Sequence, residues 1–215
     1  LFSPQVSAQD TVAIDALRAA YLATGKGNWD EALRLARPAG DVGLDLIEWD
    51  RLRAGKGEFA AAQEFLVRRP DWPGLPYLRK RSEVTIKPDA LAGDVIAFFD
   101  GQAPRTAQGS LRLAQALAKE GQTTAAISAA RWGWVSFNMD ADLEQEFREA
   151  FGADLATMHE ARLDMLLWQG AISSAKRMLS SVSSDQVKLA KARLALQENK
   201  NGVTAFLAKV PDSLK

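Results

Sequence analysis

The residue types best suited to chemistry in this 215-residue chain are one histidine, some closely spaced carboxylates and arginines beside aromatic rings. His159 has Leu155 and Leu163 four residues away on either side, a spacing that places it on or beside the buried face of a helix. A catalytic histidine needs a nucleophile and an orienting acid nearby. Glu160 and Asp164 are close in sequence, but helical spacing alone makes neither a partner. We therefore predict a packed, hydrogen-bonded structural histidine.

Closely spaced carboxylates form the second group, with Asp45 and Glu48 in one pair and the run 144–146 in another. Cleavage of a glycosidic bond commonly uses a pair of such carboxyls. Helices are also rich in acidic residues that cap their ends or pair with basic residues one turn away. The pairs that fit this second interpretation are Asp50 with Arg53 and Glu144 with Arg148. We therefore predict that the chain has no catalytic residue.

Arginines and a lysine surround Trp72 and Tyr77 in the segment 68–83, which three prolines interrupt. Aromatic rings beside arginines can stack on sugar rings or hold carboxylates, and nucleic-acid sites use the same residue types. The competing interpretation, which we favour, is a joint between helices in which Trp72 packs inward and the arginines face water.

Trp132 and Trp134 form a second aromatic concentration. On a helix that begins at Thr123, Trp134 shares a face with Ala130 whereas Trp132 points elsewhere, so one tryptophan is expected to be exposed. Exposed aromatic residues favour a contact surface. The candidate contacts with a sugar chain or a partner protein are Arg69, Trp72, Arg79, Arg81 and Trp132.

The composition excludes several classes of site. Lys plus Arg and Asp plus Glu number 27 each, so the chain has no general attraction for nucleic acid or anionic lipid. It has no cysteine and one histidine, which removes disulfides, thiolate catalysis, cysteine-based zinc sites and multi-histidine metal centres. No phosphate-binding loop, dinucleotide pattern, calcium loop or long apolar run is present. We predict no cofactor, no metal ion, no nucleic-acid partner and no membrane span.

The elements that carry these residues are predicted to be helices. Apolar residues recur at helical spacing throughout, and no segment alternates as a strand does. Asp41 and Asp71 are placed to cap two of the helices, and prolines and glycines separate others. The predicted helices, about thirteen in number, cover 10–23, 28–36, a stretch after Asp41, 57–68, a stretch after Asp71, 88–99, 107–119, 123–137, 140–150, 154–168, 171–181, 184–197 and 202–208.

A glycine followed by an alanine five residues later recurs along the chain. The copies are GNWDEALRLA from Gly27, GEFAAAQEFL from Gly57, GQTTAAISAA from Gly121 and GAISSAKRML from Gly170. The glycine can adopt the left-handed conformation that ends a helix, and the small alanine lets the next helix pack closely. The intervals between copies are unequal. This pattern predicts an all-α fold, an irregular helical-hairpin superhelix (α-solenoid).

Several longer phrases appear in a specific order. They are DLIEWDRLRAG (45–55), FLVRRPDWPGL (65–75), FFDGQAP (98–104), LRLAQALAKEG (111–121) and HEARLDMLLWQG (159–170). Together they resemble the N-terminal superhelical (U-shaped) domain of the soluble lytic murein transglycosylases, over nearly the whole chain from Asp10 onward.

That resemblance implies a bacterial periplasmic protein whose superhelical domain, here 10–215, precedes a lysozyme-like domain. The latter cleaves the β-1,4 bond between N-acetylmuramic acid and N-acetylglucosamine and forms 1,6-anhydro products. The implied partners are peptidoglycan strands, bound through the catalytic domain, and proteins of the cell-wall machinery. The family's catalytic Glu-Ser pair does not occur here, because no glutamate of the chain precedes a serine. We therefore expect a non-catalytic scaffold that shapes or extends the glycan-binding surface.

Both ends of the chain carry an expectation. Residues 1–9 are predicted to be a signal-peptide remnant or a disordered tail, since Val6-Ser7-Ala8 resembles the small-residue end of a secretory signal. At the other end, the family resemblance implies that the chain is truncated before further helices and the lysozyme-like domain.

A tetratricopeptide-like protein-interaction module is the alternative function. Its helical hairpins use the same packing of small residues. Against it, the 34-residue period of that family is not kept and its Trp-Leu-Gly-Tyr pattern is absent.

Overall fold

The computed structural model describes residues 8–214, and this part of the chain is helical and contains no strand. The predicted all-α class is therefore confirmed. The signal-peptide expectation falls mainly on residues 1–7, which lie outside the described range. The helices are α1 (Ala8–Thr24), α2 (Trp29–Ala36), α3 (Gly40–Arg53), α4 (Phe59–Arg68), α5 (Leu75–Glu83), α6 (Ala92–Phe99), α7 (Ala107–Lys119), α8 (Thr123–Ser136), α9 (Ala141–Leu155), α10 (His159–Trp168), α11 (Ile172–Met178), α12 (Ser184–Gln197) and α13 (Val203–Leu207).

Two pairs of these helices follow one another directly. Residues 37–39 join α2 to α3 and residues 156–158 join α9 to α10, each as one 3₁₀ turn, and the backbone bends at Gly40 after the first of these turns, where φ is 70°. If each pair is counted as one segment, the described range holds eleven helical segments, fewer than the predicted number of separate helices. Pro38 is compatible with the 3₁₀ turn at 37–39, because it lies in the first positions of that turn, where no backbone N–H is required.

The chain divides into two compact units, and the boundary follows Ile86. In the first unit, α1 packs against α2 and α3. The contact is built largely from small side chains, which allow the helix backbones to approach closely. Its buried core residues are Ala20, Ala23, Ala32, Ala36 and Ile47.

The second unit begins at Lys87 and has a larger core. Helix α7 packs against α6 and α8, and α10 packs against α8, α11 and α12. Where α8 crosses its neighbours, a Cβ at Gly133 would lie only 2.5 Å from the Cβ of Ser110, so glycine permits this crossing. The largest fully buried apolar side chains are Leu111, Trp134, Phe147, Leu155, Leu166 and Met178.

Five turns in the described range share one backbone geometry, which we call the helix corner. A residue with positive φ follows the helix, and its N–H donates to the carbonyl three residues earlier. The next N–H donates to the carbonyl five residues earlier, which completes a Schellman motif. The left-handed residues are Gly27, Gly55, Gly121, Gly170 and Asn199.

The helix corners confirm three of the four predicted turn glycines. The pattern predicts Gly57 in the second copy, but the left-handed residue is Gly55, because the linker between α3 and α4 is longer than in the other copies. Gly57 instead lies against Leu52, whose side chain would collide with a Cβ there. The repeated alanines are buried as predicted, namely Ala32, Ala62, Ala126 and Ala175.

The proline-rich segment folds differently from the prediction. Helix α5 does run through Tyr77 and Leu78, but it begins at Leu75 and not near Asp71. Its N-cap is Gly74, with φ of 71°. Glycine reaches this conformation without strain, and Pro76 then fits in the first helical turn.

No helix between residues 8 and 214 combines the length and the apolar character that are needed to cross a bilayer.

Candidate functional site

Four aromatic side chains line up in the first unit, and we call them the aromatic row: Phe65, Trp72, Trp49 and Tyr77. Trp72 is half-buried and packs edge to face against Phe65 and Trp49, with ring centroids 5.4 and 6.2 Å away. The indole N–H of Trp49 donates to the carbonyl of Pro73 at 3.0 Å. The inward packing of Trp72 confirms this part of the interpretation that we favoured from the sequence.

Arg69 is next to Trp72, with its guanidinium carbon 5.8 Å from the ring centroid, but its charge is already paired. Its Nε lies 2.5 Å from Oδ2 of Asp45, and Nη2 of Arg68 lies 2.7 Å from Oδ1. Burial alone would raise the pKa of Asp45. The hydrogen bonds and charges of the two arginines outweigh burial and lower that pKa instead. Arg69 therefore ties α4 to α3 and is not a free cation.

Arg53 is the cation of the aromatic row that sequence analysis missed as a site residue. Its guanidinium carbon lies 4.2 Å from the ring centroid of Trp49 and 5.6 Å from that of Tyr77. Its Nε is buried and has no hydrogen-bond partner among residues 8–214. The predicted pair with Asp50 is wrong, because Asp50 hydrogen-bonds Tyr21. The spacing of Trp49 and Arg53, one helical turn apart on α3, is the signal that sequence analysis could have used.

Arg79 and Arg81, the other residues of the first unit that we predicted to contact a sugar chain or a partner protein, lie on α5. Nη2 of Arg81 donates to the carbonyl of Ala54 at 3.2 Å, so this arginine covers the end of α3. It lies against Gly55, the left-handed residue of that helix corner. Arg79 is half-buried on the same helix. The structure thus brings Arg69 and Trp72 together and gives Arg81 a role at a helix end.

Trp132 lies in the second unit and is 47% exposed, whereas Trp134 is fully buried. The predicted difference between the two tryptophans is confirmed. The indole N–H of Trp132 donates to the carbonyl of Pro104 at 3.2 Å. Its ring borders a mainly apolar groove of about 450 Å³ between α6, α7 and α8. Among the lining residues are Ile96, Phe99, Leu113, Leu117 and Ala129.

His159 is half-buried, and its ring lies 5.7 Å from that of Trp134. Burial lowers the pKa of this histidine, and the charges of Arg148 and Arg162 lower it further. The prediction of a packed histidine is correct. The predicted hydrogen bond is not found at Nδ1, which is buried without a partner in the described part of the chain.

Glu144 holds together three helices, α9, α10 and α11, through three arginines. Its carboxylate oxygens lie 3.2 Å from Arg148, 3.3 Å from Arg162 and 3.1 Å from Arg177. The pairing with Arg148 was predicted, but the other two arginines come from α10 and α11 and could not be inferred from spacing. This carboxylate is therefore structural.

Arg162 is fully buried, with Nη1 2.6 Å from the carbonyl of Trp134 and 3.2 Å from that of Phe137. Burial lowers the pKa of Arg162 to about 10, although Glu144 opposes this shift. The guanidinium lies over the ring of Trp134, 4.1 Å from its centroid.

Within residues 8–214, no group of three or more histidine, aspartate or glutamate side chains is placed to hold a metal ion. Comparison with protein-family models, with curated proteins and with solved structures finds no match for the chain. The likeness to lytic transglycosylases therefore stays a prediction from the sequence phrases.

Proposed function

We propose that this chain is the non-catalytic scaffold of a periplasmic lytic murein transglycosylase, built as an irregular α-solenoid. The observation that carries the solenoid architecture is the helix corner, which recurs five times with the same hydrogen bonds. The assignment to a lytic transglycosylase rests on the ordered sequence phrases. Helix pairs joined by one repeated turn are the unit from which solenoids are stacked. Such a stack offers a large, rigid contact surface without the entropic cost of ordering loops.

A scaffold role also agrees with the state of the carboxylates. Glycosidic cleavage needs an acid whose pKa is raised by an apolar cleft. Asp45 has a lowered pKa and two arginine partners, and Glu144 has three. Glu48, the second carboxylate of the pair that contains Asp45, lies 2.7 Å from Nε of Arg51 on the same helix. In our proposal the cleavage reaction belongs to a lysozyme-like domain of the parent protein.

The test is incubation of the purified chain with peptidoglycan sacculi, beside the longer parent protein that we propose. Mass spectrometry detects anhydro-muropeptides, and co-sedimentation measures binding. We expect anhydro products from the longer protein only, together with weak co-sedimentation of the chain itself. Products from the chain alone would contradict a non-catalytic role, and products from neither protein would reject the transglycosylase assignment.

A protein-interaction module of the tetratricopeptide type is the second candidate. The observation that favours it is the apolar groove beside Trp132, whose volume of about 450 Å³ can hold apolar side chains of a partner peptide. Cross-linking from a photoreactive group at position 132, followed by mass spectrometry, separates the two candidates. A single protein cross-linked in the absence of sacculi favours the interaction module, whereas cross-links to muropeptides favour the wall scaffold.

A further inference from the structure

Arg53 differs from the neighbouring arginines in having no anionic partner. Arg51 pairs with Glu48, and Arg68 and Arg69 pair with Asp45. Arg53 makes neither a hydrogen bond nor an ion pair with any residue that the structure describes; its contacts are with the rings of Trp49 and Tyr77. A half-buried guanidinium whose N–H groups have no hydrogen-bond partner can bind an anion by donating to it.

The surroundings of Arg53 determine which edge of the guanidinium is open. Its Nε is buried near Gly74, where an added Cβ would lie 3.9 Å from that atom. Neither terminal nitrogen is buried without a partner, so these are the two donors that can face a ligand. Two parallel N–H donors in one plane match the two oxygens of a carboxylate.

The aromatic neighbours hold this donor pair in place. Trp49 is fixed by its hydrogen bond to Pro73 and by its edge-to-face contact with Trp72. Tyr77 is 50% exposed, so the ring that contacts Arg53 also presents a surface to a ligand. Because the guanidinium is already ordered, little side-chain entropy is lost when an anion binds.

We propose that Arg53, with Trp49 and Tyr77, forms a binding site for the carboxylate of a peptide ligand. The site goes beyond the scaffold role and does not depend on it. The carboxylate can come from a stem peptide of the cell wall or from the C-terminus of a partner protein.

The test is an NMR titration of the ¹⁵N-labelled chain that follows the indole N–H signal of Trp49. The probes are N-acetylalanine and its amide, which differ in the carboxylate alone. We expect weak but saturable binding of the acid, because a solvent-accessible ion pair contributes little free energy, and no saturation with the amide. Equal binding of acid and amide would overturn the proposal.

Three variants assign the binding to Arg53. Arg53→Gln should abolish binding of the acid, and Arg53→Lys should weaken it about tenfold because the paired donors are lost. Arg34→Gln is the matched control, since this exposed arginine of the same unit already pairs with Glu31, and it should bind as the native chain does. If Arg53→Gln does not fold by circular dichroism, Arg53→Lys decides, and native affinity in that variant rejects the site.

Two further ligands distinguish the sources of the carboxylate. Muropeptides with free stem-peptide carboxylates are compared with linear L-peptides that end in alanine. Tighter binding of muropeptides, lost in Arg53→Lys, assigns the site to the cell wall. Tighter binding of the linear peptides assigns it to a protein C-terminus, and the site then stands even if the sacculus experiment rejects the scaffold.

Discussion

Trp134 is the side chain around which the charged core of the second unit is arranged. Arg162 and Arg148 lie 4.1 and 5.1 Å from its ring centroid, and the ring of His159 lies 5.7 Å away. Cations are attracted to the face of an indole ring, but they also repel one another. Glu144 supplies the compensating negative charge to both arginines. A protonated His159 would add a further positive charge to this group.

We predict from this arrangement that His159 makes the fold sensitive to mild acid. Its pKa lies below the ordinary value of 6.5 in the folded chain. Above about pH 6.5 the imidazole is neutral in both states and has no effect. As the pH falls below that value, the unfolded chain takes up the proton first, so the free energy of unfolding decreases. The decrease is complete once the pH is below the lowered pKa.

The measurement is the Tm of the native chain and of His159→Gln between pH 7.5 and 5. Because the chain has a single histidine, the difference between the two profiles isolates this group. We expect the native Tm to fall more steeply than that of the variant. Parallel profiles would mean that neither burial nor the neighbouring arginines lower the pKa of His159 in the folded chain.

At the residue scale, the sequence predicted the aromatic row of the first unit in part, but it selected Arg69 and not Arg53 as the cation available to a ligand. Arg69 and Trp72 are close in sequence and in space, so they were predicted. Asp45, which neutralises Arg69, lies on a different helix, and no spacing rule connects the two. Arg53 was predicted to pair with Asp50 because the two are one helical turn apart. In the structure its guanidinium lies over the ring of Trp49 instead.

At the scale of elements, the helix corner depends on residues that tolerate positive φ. Gly121 has φ of 72°, and a Cβ added there would meet no atom within 4 Å, so conformation alone opposes a side chain. We predict that Gly121→Ala lowers the free energy of unfolding by about 1–2 kcal/mol, the cost of the left-handed conformation for an alanine. Thermal or urea unfolding measures this change.

Gly93 provides the control for that prediction. It also has open space where a Cβ would be added, but it lies in α6 without a positive φ. Gly93→Ala should therefore raise the free energy of unfolding, by up to about 1 kcal/mol. If both variants destabilise the chain equally, the loss comes from the added methyl group and not from the backbone conformation.

Helix bounds were predictable where local signals agree. The predicted ranges 107–119 and 184–197 match α7 and α12, since a threonine or serine precedes each and a polar or left-handed residue follows. The start of α5 was missed because Asp71 is a good cap in isolation, whereas Gly74 allows the turn that places Pro76 correctly. The corner at Asn199 was missed because asparagine there replaces the expected glycine.

At the scale of the whole molecule, the second unit contains a core of its own. Its buried residues extend from Ala107 to Leu194, and Ile96 packs against them. We predict that a fragment of residues 87–215 folds alone, with helical circular dichroism and a cooperative thermal transition. A fragment of 107–215, which lacks α6, is the comparison and should melt at a lower temperature, because it exposes the face of α7 that α6 covers. An unfolded 87–215 fragment would contradict the prediction.

The all-helical class was predictable because the period of apolar residues is a property of the sequence itself. The division after Ile86 was not, although Lys87-Pro88-Asp89 directly follows it, because prolines such as Pro38 and Pro104 also occur at joints inside each unit. The stacking of helix pairs into a solenoid stays a prediction, because the repeated corner specifies each turn and not the angle between successive pairs.

The helix corners also bear on how the chain acquires its structure. Each corner closes through hydrogen bonds between residues at most five positions apart. Contacts of such short separation cost little loop-closure entropy, and proteins rich in them fold quickly. A pair of neighbouring helices and the turn between them can thus form before later helices exist. Assembly of this chain is therefore expected to proceed in steps from the N-terminus, each helix finding its neighbour already in place.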